Sequence, residues 1–148
     1  IESKDSKKSF SFFSEPSSKM IFTSSKEKFE FNGEIENSSL NSEFEKLKFQ
    51  INKYDEKDLE ILGKQIEASI EQNKTKYDSL NKERIKLTQK KILFVVNYCL
   101  NNNSNNLSPY MAYKYKENIS EDFLKEIYKN LSTDMKETYY GSRLISTP

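Results

Sequence analysis

The side chains able to do chemistry are few in kind. The chain has one cysteine, Cys99, and no histidine. A single thiol cannot close an intrachain disulfide, and without His no zinc site of the usual ligand types forms within one chain. Cys99 lies in the run Lys91-Ile92-Leu93-Phe94-Val95-Val96-Asn97-Tyr98-Cys99-Leu100. Ile92, Val95, Val96 and Cys99 recur at helical spacings of three and four, so Cys99 is expected to be a small buried hydrophobe. A reactive thiol would need a nearby base or a helix N-terminus. Cys99 falls instead near a helix end rich in carbonyl oxygens, which disfavours the thiolate.

Carboxylate pairs are plentiful, among them Glu43/Glu45 and Glu121/Asp122. General acid–base catalysis needs carboxyl groups whose pKa values are pushed apart within a cleft. These pairs stand beside lysines on faces that read as solvated. Glu67 and Glu71 are one helical turn apart and have the spacing of two metal ligands, but a solvated face is expected there too. Tyr110, Tyr113, Tyr115, Tyr128, Tyr139 and Tyr140 could be imagined as a stacking platform for a ligand, yet aromatics at helical spacing are expected to be packing residues. Lys4, Lys7 and Lys8 are interleaved with Glu2 and Asp5 and do not make a nucleic-acid arm. No catalytic, metal-binding or cofactor-binding residue is therefore assigned, and no cofactor is expected.

Composition narrows the class further. The 148 residues carry a net charge of +1, which argues against a partner held mainly through phosphates. Apolar residues make up 34%, low for a compact globule, while 13% aromatic residues keep the chain out of the disordered class. A thin core and one ordinary domain, or two very small ones, are expected. No apolar run is long enough to span a bilayer. The polar faces of the long amphipathic segments carry Glu as often as Lys, which favours packing against protein over lying on a membrane. The first residue is Ile1 rather than Met, as expected of a processed product or an excised fragment.

The elements fall in three stretches. Residues 1–9 lack periodicity and are expected to be a tail. Residues 10–37 read as a partial β-sheet of three or four short strands: Phe10–Ser14, Lys19–Thr23, Lys28–Phe31 with the turn pair Asn32-Gly33, and Glu34–Glu36. Residues 38–148 read as helical. Leu40, Phe44, Leu47, Ile51 and Tyr54 step by four and three in the manner of a coiled coil. Ser39 is the expected cap, with Ser42 and Glu45 as an alternative capping box. Leu59, Leu62, Ile66 and Ile70 continue the stripe after a phase slip near Tyr54–Asp58. Tyr77, Leu80, Arg84 and Leu87 restart it. No Pro interrupts residues 40–101, and one helix of that length would be roughly 90 Å long. A hairpin of two long helices is expected, turning near Gln72–Lys74 or near Tyr54–Asp58. After the loop Asn101–Asn106, Ser108-Pro109 is expected to cap and open a helix. Ser120 caps the next, with Phe123, Leu124, Ile127, Tyr128 and Leu131 as its stripe. Ser132 or Thr133 caps a last helix ending at Tyr139-Tyr140, with Gly141 after it. The fold class is α+β, mostly α: a small antiparallel sheet, a long helical hairpin, then two or three short helices.

The order of several short motifs resembles a known arrangement. Phe12-Phe13-Ser14-Glu15-Pro16-Ser17-Ser18-Lys19-Met20-Ile21-Phe22 is similar to the F-F-x-E-P-G-x-I-x-I hairpin of a β-rich domain of unknown function in Gram-negative envelopes. Phe31-Asn32-Gly33 resembles its V-x-G strand, and Ser39–Phe44 its passage into a helical segment. Phe94-Val95-Val96-Asn97-Tyr98, the Asn loop and Ser108-Pro109-Tyr110 resemble F-I-x-x-N-P-x-S-x-x-A-Y. Leu124–Ser132 resembles L-x-x-L-Y-x-x-L-S, and Tyr140-Gly141-Ser142-Arg143-Leu144 resembles Y-G-K-x-[LI]. In that family these segments precede the thioredoxin-like domain of periplasmic (TlpA/ResA-like) thiol:disulfide oxidoreductases. The resemblance runs from about Ser11 to Leu144. It lacks the family's first strands and the W-C-x-x-C centre, and Cys99 matches no redox cysteine. It implies a non-catalytic spacer, dimerisation or partner-binding region in the periplasm, with a cognate thioredoxin-like domain or a second copy as partner. The sheet edge left open by the missing strands is expected to pair in a homodimer. A coiled-coil structural or adhesive surface protein without a redox role is the alternative.

Overall fold

The computed structural model describes residues 12–14, 19–24 and 34–145. The chain is mostly helical with a small two-stranded antiparallel sheet, the α+β class expected. It divides into two compact units, Ile1–Lys48 and Phe49–Pro148, so the division falls inside the first helix.

In the first unit, β1 (Ile21–Thr23) runs antiparallel to β2 (Glu34–Glu36), with Ile21 opposite Glu36, Phe22 opposite Ile35 and Thr23 opposite Glu34. Phe22 and Ile35 form the half-buried pair while their neighbours are exposed, the alternation of a one-sided sheet. Asn37, in the left-handed region at φ 61°, breaks the extended chain before helix α1 (Ser39–Ile70). The cap is Ser38, not Ser39: its Oγ accepts from the Asn41 N–H at 3.0 Å, while Ser39 and Ser42 already lie in the helix. Phe44 and Leu47 are buried as the spacing predicts, and the Phe13 ring meets Phe44 edge to face at 5.1 Å.

Phe12–Ser14 departs from expectation. It is not a strand. The amide of Asn41, itself 2% exposed, takes the place of a neighbouring strand: its Oδ1 accepts from the Phe13 N–H at 2.7 Å, and its Nδ2 donates to the Phe13 carbonyl at 2.7 Å. The expected strand Lys28–Phe31, the Asn32-Gly33 turn and the tail 1–9 lie outside the described residues.

In the second unit, the rest of α1 and helix α2 (Lys74–Asn101) form the long hairpin. The turn falls at Glu71–Asn73, at the first of the two expected sites, near Gln72–Lys74. Gln72 takes the left-handed conformation at φ 54°. The Asn73 N–H reaches the Ala68 carbonyl (2.9 Å) and the Gln72 N–H the Ser69 carbonyl (3.1 Å), the bond pair of a Schellman motif. Asn73 then caps α2, its Oδ1 accepting from the Lys76 N–H at 3.0 Å.

The α1 stripe needs correction. There is no phase slip near Tyr54–Asp58. Burial continues at steps of three and four through Ile51, Tyr54, Asp58, Ile61, Gln65 and Ala68, all buried or half-buried. Leu59, Ile66 and Ile70, expected in the stripe, are 66%, 53% and 77% exposed. An unkinked helix keeps one face on its partner, and here that face includes two polar residues rather than shifting to the nearest apolar ones.

The remaining elements close a core on the C-terminal half of α2. Helices α3 (Leu107–Lys114) and α4 (Glu121–Asn130) both pack on α2, burying Ile92, Val95, Val96 and Cys99 together with Leu107, Met111, Ala112 and Ile127. Ser108 does not cap α3. The helix opens at Leu107, whose N–H donates to Asn105 Oδ1 at 2.8 Å, and the buried Ser108 hydroxyl donates to the Asn102 carbonyl at 2.6 Å. Pro109 still sits in the first turn, where no intrahelical partner awaits its missing N–H. Ser120 caps α4 as expected, accepting from the Phe123 N–H at 3.4 Å, but Phe123 is at the exposed margin of the stripe.

The last helix, α5 (Thr133–Glu137), stops short of Tyr139-Tyr140, with Ser132 in the cap position. Gly141 does not terminate it as a left-handed residue; it opens a 3₁₀ turn, Gly141–Arg143. Glycine is required there for space, because a Cβ would collide with the Met135 carbonyl oxygen.

Candidate interaction face of the helical hairpin

Cys99 is 1% exposed, its thiol donates to the Ser108 carbonyl at 3.4 Å, and burial pushes its pKa up to about 12. It is a packing residue without thiolate character. Of the carboxylates considered for chemistry, Glu45 pairs with Lys48 at 2.5 Å and Glu121 with Lys125 at 2.6 Å, both on exposed helix surface. Glu67 and Glu71 are exposed, and Glu71 pairs with Lys76 at 3.3 Å. Among the described residues no three His, Cys, Asp or Glu side chains gather as a metal would need. The tyrosines meet one another: Tyr140 lies 5.2 Å from Tyr110, 5.4 Å from Tyr113 and 5.1 Å from Tyr139, and the Arg143 guanidinium covers Tyr139 at 3.7 Å. These contacts tie α3 to the 3₁₀ turn. Lys4, Lys7 and Lys8 lie outside the described residues. Among the described residues no helix is long and apolar enough to cross a membrane.

The polar chemistry of this unit is concentrated where α1 meets α2. Arg84 donates from Nε to Asp58 Oδ1 and from Nη2 to Asp58 Oδ2, each at 2.8 Å, and from Nη1 to Gln65 Oε1 at 3.1 Å. One planar cation thus joins two seam positions of α1. Bidentate pairing is the strongest geometry open to a guanidinium and a carboxylate. It holds the Asp58 carboxyl below its ordinary pKa, against the opposing effect of partial burial. Further from the hairpin tip, Lys91 donates to Asp55 at 2.7 Å, and the Tyr54 and Phe94 rings meet at 6.1 Å. Near the tip, Gln65 comes within 3.5 Å of Asn81. These pairs fix which residues of α1 and α2 stand level with each other.

Beside this seam, towards the tip, the hairpin presents an apolar face without a partner among the described residues. Leu62, Ile66 and Ile70 of α1 and Tyr77, Asn81 and Arg84 of α2 line a shallow groove. Leu59 and Ile85 extend it, each more than half exposed. On α2 the same helical face continues towards the C-terminus as Ile92, Val95, Val96 and Cys99, where α3 and α4 cover it. The covered half is core; the distal half is a contiguous apolar patch of the kind that marks a protein contact.

Sequence reasoning named Leu59, Leu62, Ile66, Ile70 and Arg84 but read them as hairpin core. It missed Asp58 and Gln65 as seam residues. The signal was present in the unbroken three-and-four spacing from Phe44 to Ala68. No family model, no curated protein and no solved structure matches this chain.

Proposed function

We propose that the chain is a non-catalytic, protein-binding accessory region and, on the strength of the resemblance, that it serves a membrane-tethered periplasmic thiol:disulfide oxidoreductase, spacing or docking its thioredoxin-like domain. The redox assignment rests on the resemblance, and one observation supports reading its motifs together. The motifs quoted for the resemblance supply the residues that close the core around the end of α2: Val95 and Val96, Ser108 and Pro109, Ile127 and Leu131, Gly141 and Leu144 are all buried. Motifs spaced far apart in the chain thus meet in one packed unit. The non-catalytic reading is supported by the inert thiol of Cys99 and by carboxylates engaged with lysines on open surface. The alternative, a surface protein built on one long coiled coil, calls for a continuous helix over residues 40–101, whereas α1 and α2 fold back at Gln72.

The test is thiol trapping of the native gene product, followed by an antibody against this chain. A product larger by roughly one domain of 100–150 residues, with two maleimide-reactive thiols that alternate with redox conditions, is the expected result. A product of about the present size, showing no thiol but Cys99 and that only after denaturation, would remove the redox assignment.

A further inference from the structure

We propose that the Asn41 amide is a clamp for extended main chain, and that its partner in trans is the Phe12–Ser14 segment of a second copy of this chain. The two copies exchange these segments, each laying its own in the other's clamp. This goes beyond the accessory reading and does not depend on a redox partner. It also differs from pairing through a sheet edge, because a side chain rather than a strand receives the segment.

The clamp reads one residue through its main chain. In an extended chain the N–H and C=O of one residue point to the same side, where a neighbouring strand bonds both. Asn41 meets both groups of Phe13 with a single planar amide, Oδ1 accepting at 2.7 Å and Nδ2 donating at 2.7 Å. These two bonds ask only for an extended residue with an N–H. Selection comes from the ring: Phe13 meets Phe44 edge to face at 5.1 Å, while Phe12 and Ser14 on either side are exposed. The occupant is thus an extended segment with an aromatic side chain at its centre. Asn41 is aimed by its own helix start, where Ser38 Oγ accepts from Nδ2 at 2.7 Å and from the Asn41 N–H at 3.0 Å. Asn41, Ser38 and Phe44 are all buried. The clamp is therefore oriented by bonds that do not involve the segment it holds.

What fills the site names the occupant. Phe13 and Asn41 stand 28 positions apart in one chain, so every copy carries both segment and clamp. A second copy presents the same main chain and the same ring in the same order. Exchange keeps both hydrogen bonds and the ring contact at each site, which is what makes swapping an identical element a low-cost route to a dimer. Within its own chain the segment occupies the clamp at an effective concentration on the order of millimolar. A segment supplied by another chain must then fill an empty clamp at or below that concentration.

The test separates clamp from segment in two full-length chains. Asn41→Leu keeps the segment and loses the clamp. Phe13→Pro keeps the clamp and loses both the N–H donor and the ring. Phe13→Asp, which loses the ring, takes its place if the proline disturbs the β1–β2 pair, as amide exchange at Phe22 and Ile35 reports. Each variant alone is expected to sediment as a monomer. Mixed, the two are expected to form a one-to-one complex with a dissociation constant below about 1 mM. The Asn41 side-chain amide signals of an isotope-labelled Phe13→Pro chain should return to their parent positions in that mixture. The parent, whose own segment competes for its clamp, should associate at least about tenfold more weakly than the mixture. A mixture that stays monomeric at roughly 1 mM overturns the proposal. So does association that persists in Asn41→Leu alone, or a complex that forms equally well when the Asn41→Leu chain also carries Phe13→Pro. Either would place the contact away from the clamp and its segment.

Discussion

Arg84 and Asp58 are joined by two parallel hydrogen bonds of 2.8 Å, across the seam of a helical hairpin and at positions where a coiled coil normally places Leu or Ile. Each side chain is about 30% exposed, so the pair is only partly withdrawn from water. Removing one partner leaves the other charge half-buried and unpaired; removing both leaves a seam open to apolar packing. Asp58→Leu or Arg84→Leu alone is expected to cost about 1–2 kcal/mol. The double change Asp58→Leu with Arg84→Leu should come within about 1 kcal/mol of the parent. Urea denaturation of the four proteins gives the coupling directly, and additive single effects would contradict it.

The same pair makes stability depend on acidity. The Asp58 carboxyl titrates below its ordinary range because the Arg84 guanidinium hydrogen-bonds it, with the charges of Arg84 and Lys91 adding to the effect and partial burial opposing it. A depressed carboxylate pKa in the folded state stabilises fully above the unfolded pKa and is lost as the pH falls through the folded value. The parent should therefore lose stability between about pH 5 and pH 2 more steeply than Asp58→Asn. Equal slopes over that window would show that the pair carries no linkage.

Gln72 sits at φ 54° in the Schellman turn that joins the long helices. A side chain with a Cβ is disfavoured there, and glycine is the residue such turns prefer. Gln72→Gly is expected to raise stability by about 0.5–1 kcal/mol, the gain in the folded turn exceeding the extra freedom of the unfolded chain. A lower denaturation midpoint would mean that the Gln72 side chain makes a contact that glycine cannot replace.

What could be read from residue order follows from what repeats. Phe44, Leu47 and Ile51 announced their burial by spacing, and the polar run around Gln72 announced the turn, because both signals are local. Leu59, Ile66 and Ile70 mislead because apolar type is not burial: the helix holds its register and buries Gln65 and half-buries Asp58 instead. A cation from the other helix, twenty-six positions away at Arg84, is what makes that tolerable, and no local pattern carries it. Phe12–Ser14 misled for a related reason: its main-chain partner is a side chain, Asn41, rather than a strand. Gly141 marks the end of the last helix in sequence, but glycine is required there by the Met135 carbonyl packed against it rather than by a left-handed turn.

Cys99 should be silent to thiol reagents in the native protein. With a pKa of about 12, the thiolate fraction at pH 8 is on the order of one in ten thousand, and the sulfur is also covered. Labelling by a maleimide is expected to track global unfolding, accelerating with urea along the denaturation curve. Stoichiometric labelling within minutes in native buffer would contradict the packing of α3 on α2.

Asn41 offers the sharpest test of the first unit. Its amide both accepts from and donates to the Phe13 backbone, and Nδ2 also donates to Ser38 Oγ at 2.7 Å. Asn41→Asp keeps the size and the acceptor but removes the donor, setting a carboxylate against the Phe13 carbonyl. Asn41→Leu removes both bonds to the Phe13 main chain. Each change is expected to cost about 2–3 kcal/mol, and the loss should be local, because these bonds, with the one from Nδ2 to Met20 Sδ at 3.7 Å, stay within the first unit. Hydrogen exchange should therefore show the Phe13 amide losing protection in both variants while amides at the α2 end of the second unit keep theirs. For Asn41→Asp the protection should return in part at low pH, where the protonated carboxyl regains a donor. Unchanged protection at Phe13 in Asn41→Leu would show that its main chain is held by something other than this amide.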